Sequence, residues 1–184
     1  MKTRTELVQG ENIHIIDDTF SEEEIQAFFE YVEELPFRRK EKSNEYDNFP
    51  IFSTDFDPVV FEESTYIGQK ARLLLETYVP EGKHYNLFRA YVNLSTYGDV
   101  EYPHYDCQAD QKDITVLYYV NLKWNNTFGG ETIFYEEHDT RLAILPKPGR
   151  FVIFPGKIEH MGSVASRICK TPRYSLALKY NLIQ

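Results

Sequence analysis

Seven short runs of β-forming residues, crowded into the C-terminal half, constrain this chain most. They cover 86–96, 114–121, 132–135, 143–145, 151–154, 163–167 and 173–181. Turn-forming residues separate them, among them Gly98-Asp99, Asn125-Asn126, Gly129-Gly130, Pro155-Gly156 and Thr171-Pro172. Many short strands at close spacing predict a sandwich or barrel, because each strand can bury its apolar face only against another sheet. The first 82 residues read differently. Residues 12–16 form a short strand. Ser21 then stands as a helix N-cap with Glu24 completing a capping box, and Ile25, Phe28, Phe29, Val32 and Leu35 recur at helical spacing up to Pro36. A second helix is predicted over 62–78, and the polar stretch 38–58 is read as a long loop with a short strand near Phe52. The expectation is a single domain, 1–184. It has a helical N-terminal portion, 1–82, covering one face of a mainly β core, 83–184.

Composition narrows the partners. With 42% apolar and 15% aromatic residues the chain can fill a core, which excludes a disordered segment. Its 20 Lys and Arg against 29 Asp and Glu give a net charge of −9, so nucleic acid is not expected as a partner. The two cysteines, Cys107 and Cys169, do not make a disulfide framework. No apolar run is long enough to span a membrane, and Met1-Lys-Thr-Arg-Thr-Glu lacks the core of a signal peptide. A cytoplasmic protein without a membrane partner is the expectation.

The chemistry enters at His104-Tyr105-Asp106. In extended backbone, residues i and i+2 share a face, so the imidazole and the carboxylate can converge on one ion. His160 follows the strand 151–154 and the turn Pro155-Gly156, and is the candidate third ligand. Two imidazoles and one carboxylate on one face leave coordination positions open, as non-haem Fe(II) oxygenases require. His14, His84 and His138 have no carboxylate in a matching context and are not read as ligands.

The surroundings carry a resemblance. Tyr97-Gly98 precedes His104-x-Asp106. The run 114–124, Gly129-Gly130-Glu131-Thr132, Pro146-Lys147-Pro148-Gly149, Phe151-Val152-Ile153-Phe154, His160 and Arg173-Tyr174-Ser175 then follow in order. In this the chain resembles the 2-oxoglutarate/Fe(II)-dependent dioxygenases, and among them the prolyl 4-hydroxylase-like group. The resemblance implies a double-stranded β-helix, or jelly roll, buttressed by two or more helices.

It also implies roles for particular residues. His104, Asp106 and His160 would hold Fe(II). Arg173, 13 positions after His160, would pair with the distal carboxylate of 2-oxoglutarate, for which a guanidinium fork is suited. Ser175 shares its face and would donate to the same carboxylate. Arg167 is the rival, but lies beside a turn. Tyr119 would contact 2-oxoglutarate through its phenol. Thr115 and Leu117 would line the same face, and Tyr97 and Tyr91 the pocket. The cofactor set is Fe(II), 2-oxoglutarate and O2, with ascorbate as an accessory.

The implied reaction is oxidative decarboxylation to succinate coupled to hydroxylation of an unactivated C–H bond. The carboxylate of Asp106 favours it over halogenation, where related enzymes leave that position for halide. The substrate is expected to be a prolyl or other amino-acid residue of a peptide, or a free amino acid. A small metabolite of a biosynthetic pathway is the alternative small-molecule substrate. A cupin-like metal-binding protein without turnover is the rival of a different class. Loop 38–58, the segment 97–103 and the residues around Asp110 form the natural substrate lid. Their acidic residues, including Glu41, Asp55, Asp99 and Glu101, suggest a cationic substrate.

Overall fold

The structure is a computed structural model and describes residues 1–183. The chain runs β1 (Lys2–Val8), β2 (Glu11–Asp17), α1 (Glu22–Glu33), β3 (Arg38–Glu41), β4 (Ile51–Phe56), α2 (Pro58–Ser64) and α3 (Tyr66–Tyr78). After a 3-10 turn, Gly82–His84, come β5 (Tyr85–Ser95), β6 (Ile114–Tyr119), β7 (Thr132–Glu136), β8 (Asp139–Ile144), β9 (Phe151–Pro155), β10 (His160–Gly162) and β11 (Arg173–Leu182). Eight strands form one sheet in the order β1-β2-β9-β6-β11-β5-β4-β3, and three form a second in the order β10-β7-β8. Every pairing is antiparallel. This is the expected mainly β, jelly-roll type of architecture with helices on one face, and neither sheet closes on itself.

Alternation along the central strands divides the interior in two. Val116 and Tyr118 of β6, Phe151 and Ile153 of β9, and Leu176, Leu178 and Tyr180 of β11 pack with Phe28 and Val32 of α1 and Ile67 and Leu75 of α3. The intervening residues Leu117, Tyr119, Val152, Phe154 and Ala177 pack instead with Phe134 and Ile144 of the small sheet. Both faces are therefore covered, which is why these strands read as continuous apolar runs rather than as alternating ones.

The first helix forms as its capping box predicts. Ser21 Oγ accepts from the Glu24 N–H at 3.2 Å, and Glu24 Oε2 accepts from the Ser21 N–H at 2.8 Å. The predicted second helix is in fact two. Thr65 leaves the helical conformation, and its hydroxyl caps α3 by accepting from the Gly68 N–H at 2.9 Å. Gly68 is required there, because a Cβ would stand 2.4 Å from the Phe61 carbonyl oxygen.

Three further expectations are corrected. The N-terminal portion forms the expected strands at 12–16 (β2) and near Phe52 (β4), but it also contributes β1 and β3, so four of its strands join the large sheet beside the helices. The edge strand β1 is polar and exposed along nearly its whole length, so it has no apolar periodicity to announce it. In the stretch 38–58 the expected strand near Phe52 pairs with an unforeseen β3 to make a hairpin, and the predicted strand 163–167 is reduced to one isolated bridge between Gly129 and Ala165. Among the described residues no helix is long and apolar enough to cross a membrane.

Candidate metal centre

Backbone pairing outside the regular strands assembles the site. The His104 N–H donates to the His160 carbonyl at 2.9 Å, and the His160 N–H returns a bond to the His104 carbonyl at 3.0 Å. The Asp106 N–H donates to the Gly156 carbonyl at 2.7 Å. These bonds set the extended segment around His104 against the start of β10. The side chains of His104, Asp106 and His160 consequently converge, with one ligand atom from each lying within 4.8 Å of the others. His104 Nε2 is 3.6 Å from Asp106 Oδ1, and His160 Nε2 is 3.5 Å from Asp106 Oδ2. Donors sharing one ion at bonds of about 2.1 Å stand roughly 3 Å apart, so small movements would let all three bind.

The donor chemistry fits a divalent metal. Each imidazole turns Nδ1 to a backbone carbonyl, His104 to Tyr102 at 2.8 Å and His160 to Ile158 at 2.9 Å. A proton on Nδ1 satisfies those bonds and leaves the Nε2 lone pair facing Asp106, the tautomer a metal needs. Burial drives the His160 imidazole down to about 4, so it is neutral at ordinary pH. Burial also pushes His104 down, but the Asp106 carboxylate outweighs it and holds that imidazole above the usual 6.5. Burial would raise the Asp106 carboxyl. The nearby Lys179 ammonium and the two histidines overcome this and hold it well below its usual range.

A cavity of about 50 Å³ adjoins the cluster, lined in part by Tyr91, Thr115, Leu117, Phe154, Ala177 and Arg173. Arg173 is buried at its far side. Its Nε donates to the Gly130 carbonyl at 2.7 Å, one Nη to Ser175 Oγ at 3.0 Å and the other to Thr132 Oγ1 at 3.1 Å. Three of its N–H groups are thus engaged, and two of the five remain for a ligand. Gly130 has a positive φ and lies so close that a Cβ would be 3.1 Å from Arg173 Cδ. The paired glycines therefore serve the turn and make room for the guanidinium.

The predicted residues fall into three groups. His104, Asp106, His160, Thr115, Leu117, Arg173 and Ser175 come together around the cluster and cavity, and Thr115 donates to Asp106 Oδ2 at 2.5 Å. Tyr119 is adjacent: fully buried, its phenol donates at 2.6 Å to Thr132 Oγ1, a cavity-lining hydroxyl, and its ring lies beneath the Arg173 guanidinium at 5.6 Å. Tyr97 is not brought in. It is 64% exposed, in a separate depression with Arg39, Phe49 and Tyr102, because the turn at Gly98 carries it outward.

Lys179 was missed, although the signal was present. It is a second charged residue in a strand whose other face is apolar, in phase with Arg173 and Ser175. Part of the acidity of the lid is paired: Glu41 with Arg89, Asp55 with Lys40, and Asp99 with Arg39. Asp47 is bonded by the N–H groups of Ser43 and Phe49.

Comparison with known proteins agrees with this geometry. Residues 92–180 match the family model described as the 2OG-Fe(II) oxygenase superfamily. Among solved structures, a Pseudomonas putida prolyl-4-hydroxylase is similar with a TM-score of 0.65 and 16% identity, covering 94% of this chain and 92% of its own. A viral collagen prolyl hydroxylase from Paramecium bursaria Chlorella virus-1, solved with 2OG, has a TM-score of 0.62 and 22% identity, with 92% and 96% covered. A Trichoplax adhaerens prolyl hydroxylase, in complex with a hypoxia inducible factor peptide fragment, has a TM-score of 0.68 and 18% identity, with 92% and 83% covered. No curated protein matches the chain.

Proposed function

This chain belongs to the 2OG-Fe(II) oxygenase superfamily, and from that premise we propose that it hydroxylates an unactivated C–H bond of an amino-acid residue within a peptide. The observation that carries the chemistry is the pairing of two Nε2 lone pairs and one carboxylate with a buried arginine across one small cavity. His104, Asp106 and His160 would hold the metal. Arg173 would use its two remaining N–H groups on the distal carboxylate of 2-oxoglutarate, with Ser175 and Thr132 fixing the guanidinium. When bound, Fe(II) and 2-oxoglutarate would supply, with O2 as the oxidant, an oxidative decarboxylation to succinate and CO2 that places one atom of the O2 in the succinate and leaves the other for insertion into a C–H bond. Leu117, Phe154 and Ala177 give part of the cavity wall an apolar surface.

A peptide is favoured over a free amino acid by the rim of the site. Tyr46 and Tyr105 are exposed beside His104 and Asp106, and Phe49, Tyr97 and Tyr102 are exposed in the neighbouring depression. The two depressions meet where the Tyr102 N–H donates to Ser43 Oγ at 2.9 Å. A band of aromatic surface far wider than the cavity suits a chain passing over it rather than one small molecule enclosed within it. The similarity in fold to prolyl hydroxylases supports the same substrate class.

Anaerobic Fe(II) with 2-oxoglutarate is expected to give a weak visible charge-transfer band, and admission of oxygen to release succinate. His104→Ala and Asp106→Ala should each abolish both signals; their persistence in both variants would remove the proposed site. Proline-containing peptides should gain the mass of one oxygen atom while free proline does not, and the reverse result would replace the peptide with the free amino acid.

A further inference from the structure

Strand β11 places one more cation at the cavity, and the proposed reaction leaves it without a task. Lys179 is 9% exposed, and its ammonium contacts Asp106 Oδ2 and lies 3.2 Å from Thr115 Oγ1. Antiparallel pairing sets Lys179 directly opposite Thr115, so both reach the same carboxylate oxygen. With two donors on Oδ2, rotation of the Asp106 carboxylate is restrained and Oδ1 is left beside His104.

The charges inside this cavity balance in a particular way. Asp106 is matched by Lys179, and Glu101 stands 4.0 Å from Arg173. Glu41, paired with Arg89, and Lys42 and Asp47 also line it, so four carboxylates stand against four cations and the surroundings are neutral. A divalent metal alone would add two positive charges next to a carboxylate already paired with an ammonium. In a buried site such an excess is costly. A dianionic co-substrate arriving with the metal restores neutrality. We propose that Lys179 is a positioning residue that couples the two ligands, holding Asp106 in its binding orientation while its charge keeps metal affinity low until a dianion is present. The inference rests on the proposed metal and 2-oxoglutarate reading of the cavity.

The measurement is the dissociation constant of Mn(II), read on the full chain from the electron paramagnetic resonance of the free ion, with and without saturating 2-oxoglutarate. Mn(II) avoids turnover. In the wild-type chain 2-oxoglutarate should tighten Mn(II) binding strongly. In Lys179→Met, Mn(II) alone should bind about tenfold more tightly, and the gain from 2-oxoglutarate should shrink about tenfold. Lys179→Arg, which keeps the charge, should retain the wild-type ratio. A purely structural lysine would change both constants together and leave their ratio alone, so an unchanged ratio in Lys179→Met overturns the proposal. If the Met variant does not fold, Lys179→Gln keeps a donor to Asp106 without the charge and is held to the same ratio. Wild-type chain that binds Mn(II) with no response to 2-oxoglutarate would instead overturn the co-substrate reading beneath it.

Discussion

The two faces of strand β11 are equally buried and chemically opposite. Towards the helices it presents Tyr174, Leu176, Leu178 and Tyr180, which join Phe28, Val32 and Leu75 in an apolar core. Towards the small sheet it presents Arg173, Ser175, Ala177 and Lys179, three of them polar and all lining the cavity. On the helix side the hydroxyls of Tyr118 and Tyr180 are buried without a hydrogen-bond partner. On the cavity side Arg173, Ser175 and Lys179 are all hydrogen-bonded. Burial by itself therefore does not separate scaffold from site. The distinction is whether buried polar groups are gathered into a network that still offers unused donors, as Arg173 does. The helix face holds the sheet in place, and the cavity face spends that rigidity on fixing charges.

Substitutions on one face should leave the other face's property intact, and this can be tested in descending order of effect. Arg173→Ala should raise the 2-oxoglutarate concentration needed for the charge-transfer band by about a hundredfold or more, as loss of one partner of a buried charge pair implies. Mn(II) binding without 2-oxoglutarate should change by only a few-fold. An unchanged 2-oxoglutarate requirement would take Arg173 out of the pocket. Leu176→Ala, three positions along on the opposite face, should lower unfolding stability by about 3 kcal/mol in denaturant titration while leaving the 2-oxoglutarate requirement of the folded protein nearly constant. A large shift in that requirement would show the faces to be coupled. Ser21→Ala removes the cap of α1 and should cost about 1 kcal/mol of stability. Tyr118→Phe should be the mildest, within about 0.5 kcal/mol, because the lost hydroxyl has no partner. A substantial loss there would reveal a bond for that hydroxyl.

Much of this arrangement is legible in the residues. The His104-x-Asp106 spacing places two candidate ligands on one face, and the 173-175 phase places Arg173 and Ser175 together, because alternation is a property of any extended segment. The same phase extends to Lys179, whose role the strong apolar character of the strand concealed. Spacing places Tyr119 in this neighbourhood but does not reveal its bond to Thr132, since the direction of a phenol depends on which acceptor the packing supplies. The outward placement of Tyr97 depends on the turn at Gly98, and residue spacing does not encode its direction.

The sequence by itself determined what repeats locally: the capping box at Ser21 and Glu24, the strand alternation, the paired ligands and the turn glycines at 129 and 130. Each depends on backbone geometry over a few residues. Only the tertiary structure decided that His160 meets His104 through reciprocal backbone bonds, that the N-terminal strands extend the large sheet, and that Lys179 reaches Asp106 across 73 positions of chain. Those pairings join segments whose approach is set by the burial of the whole sheet between its two cores, a balance that no single stretch of sequence contains.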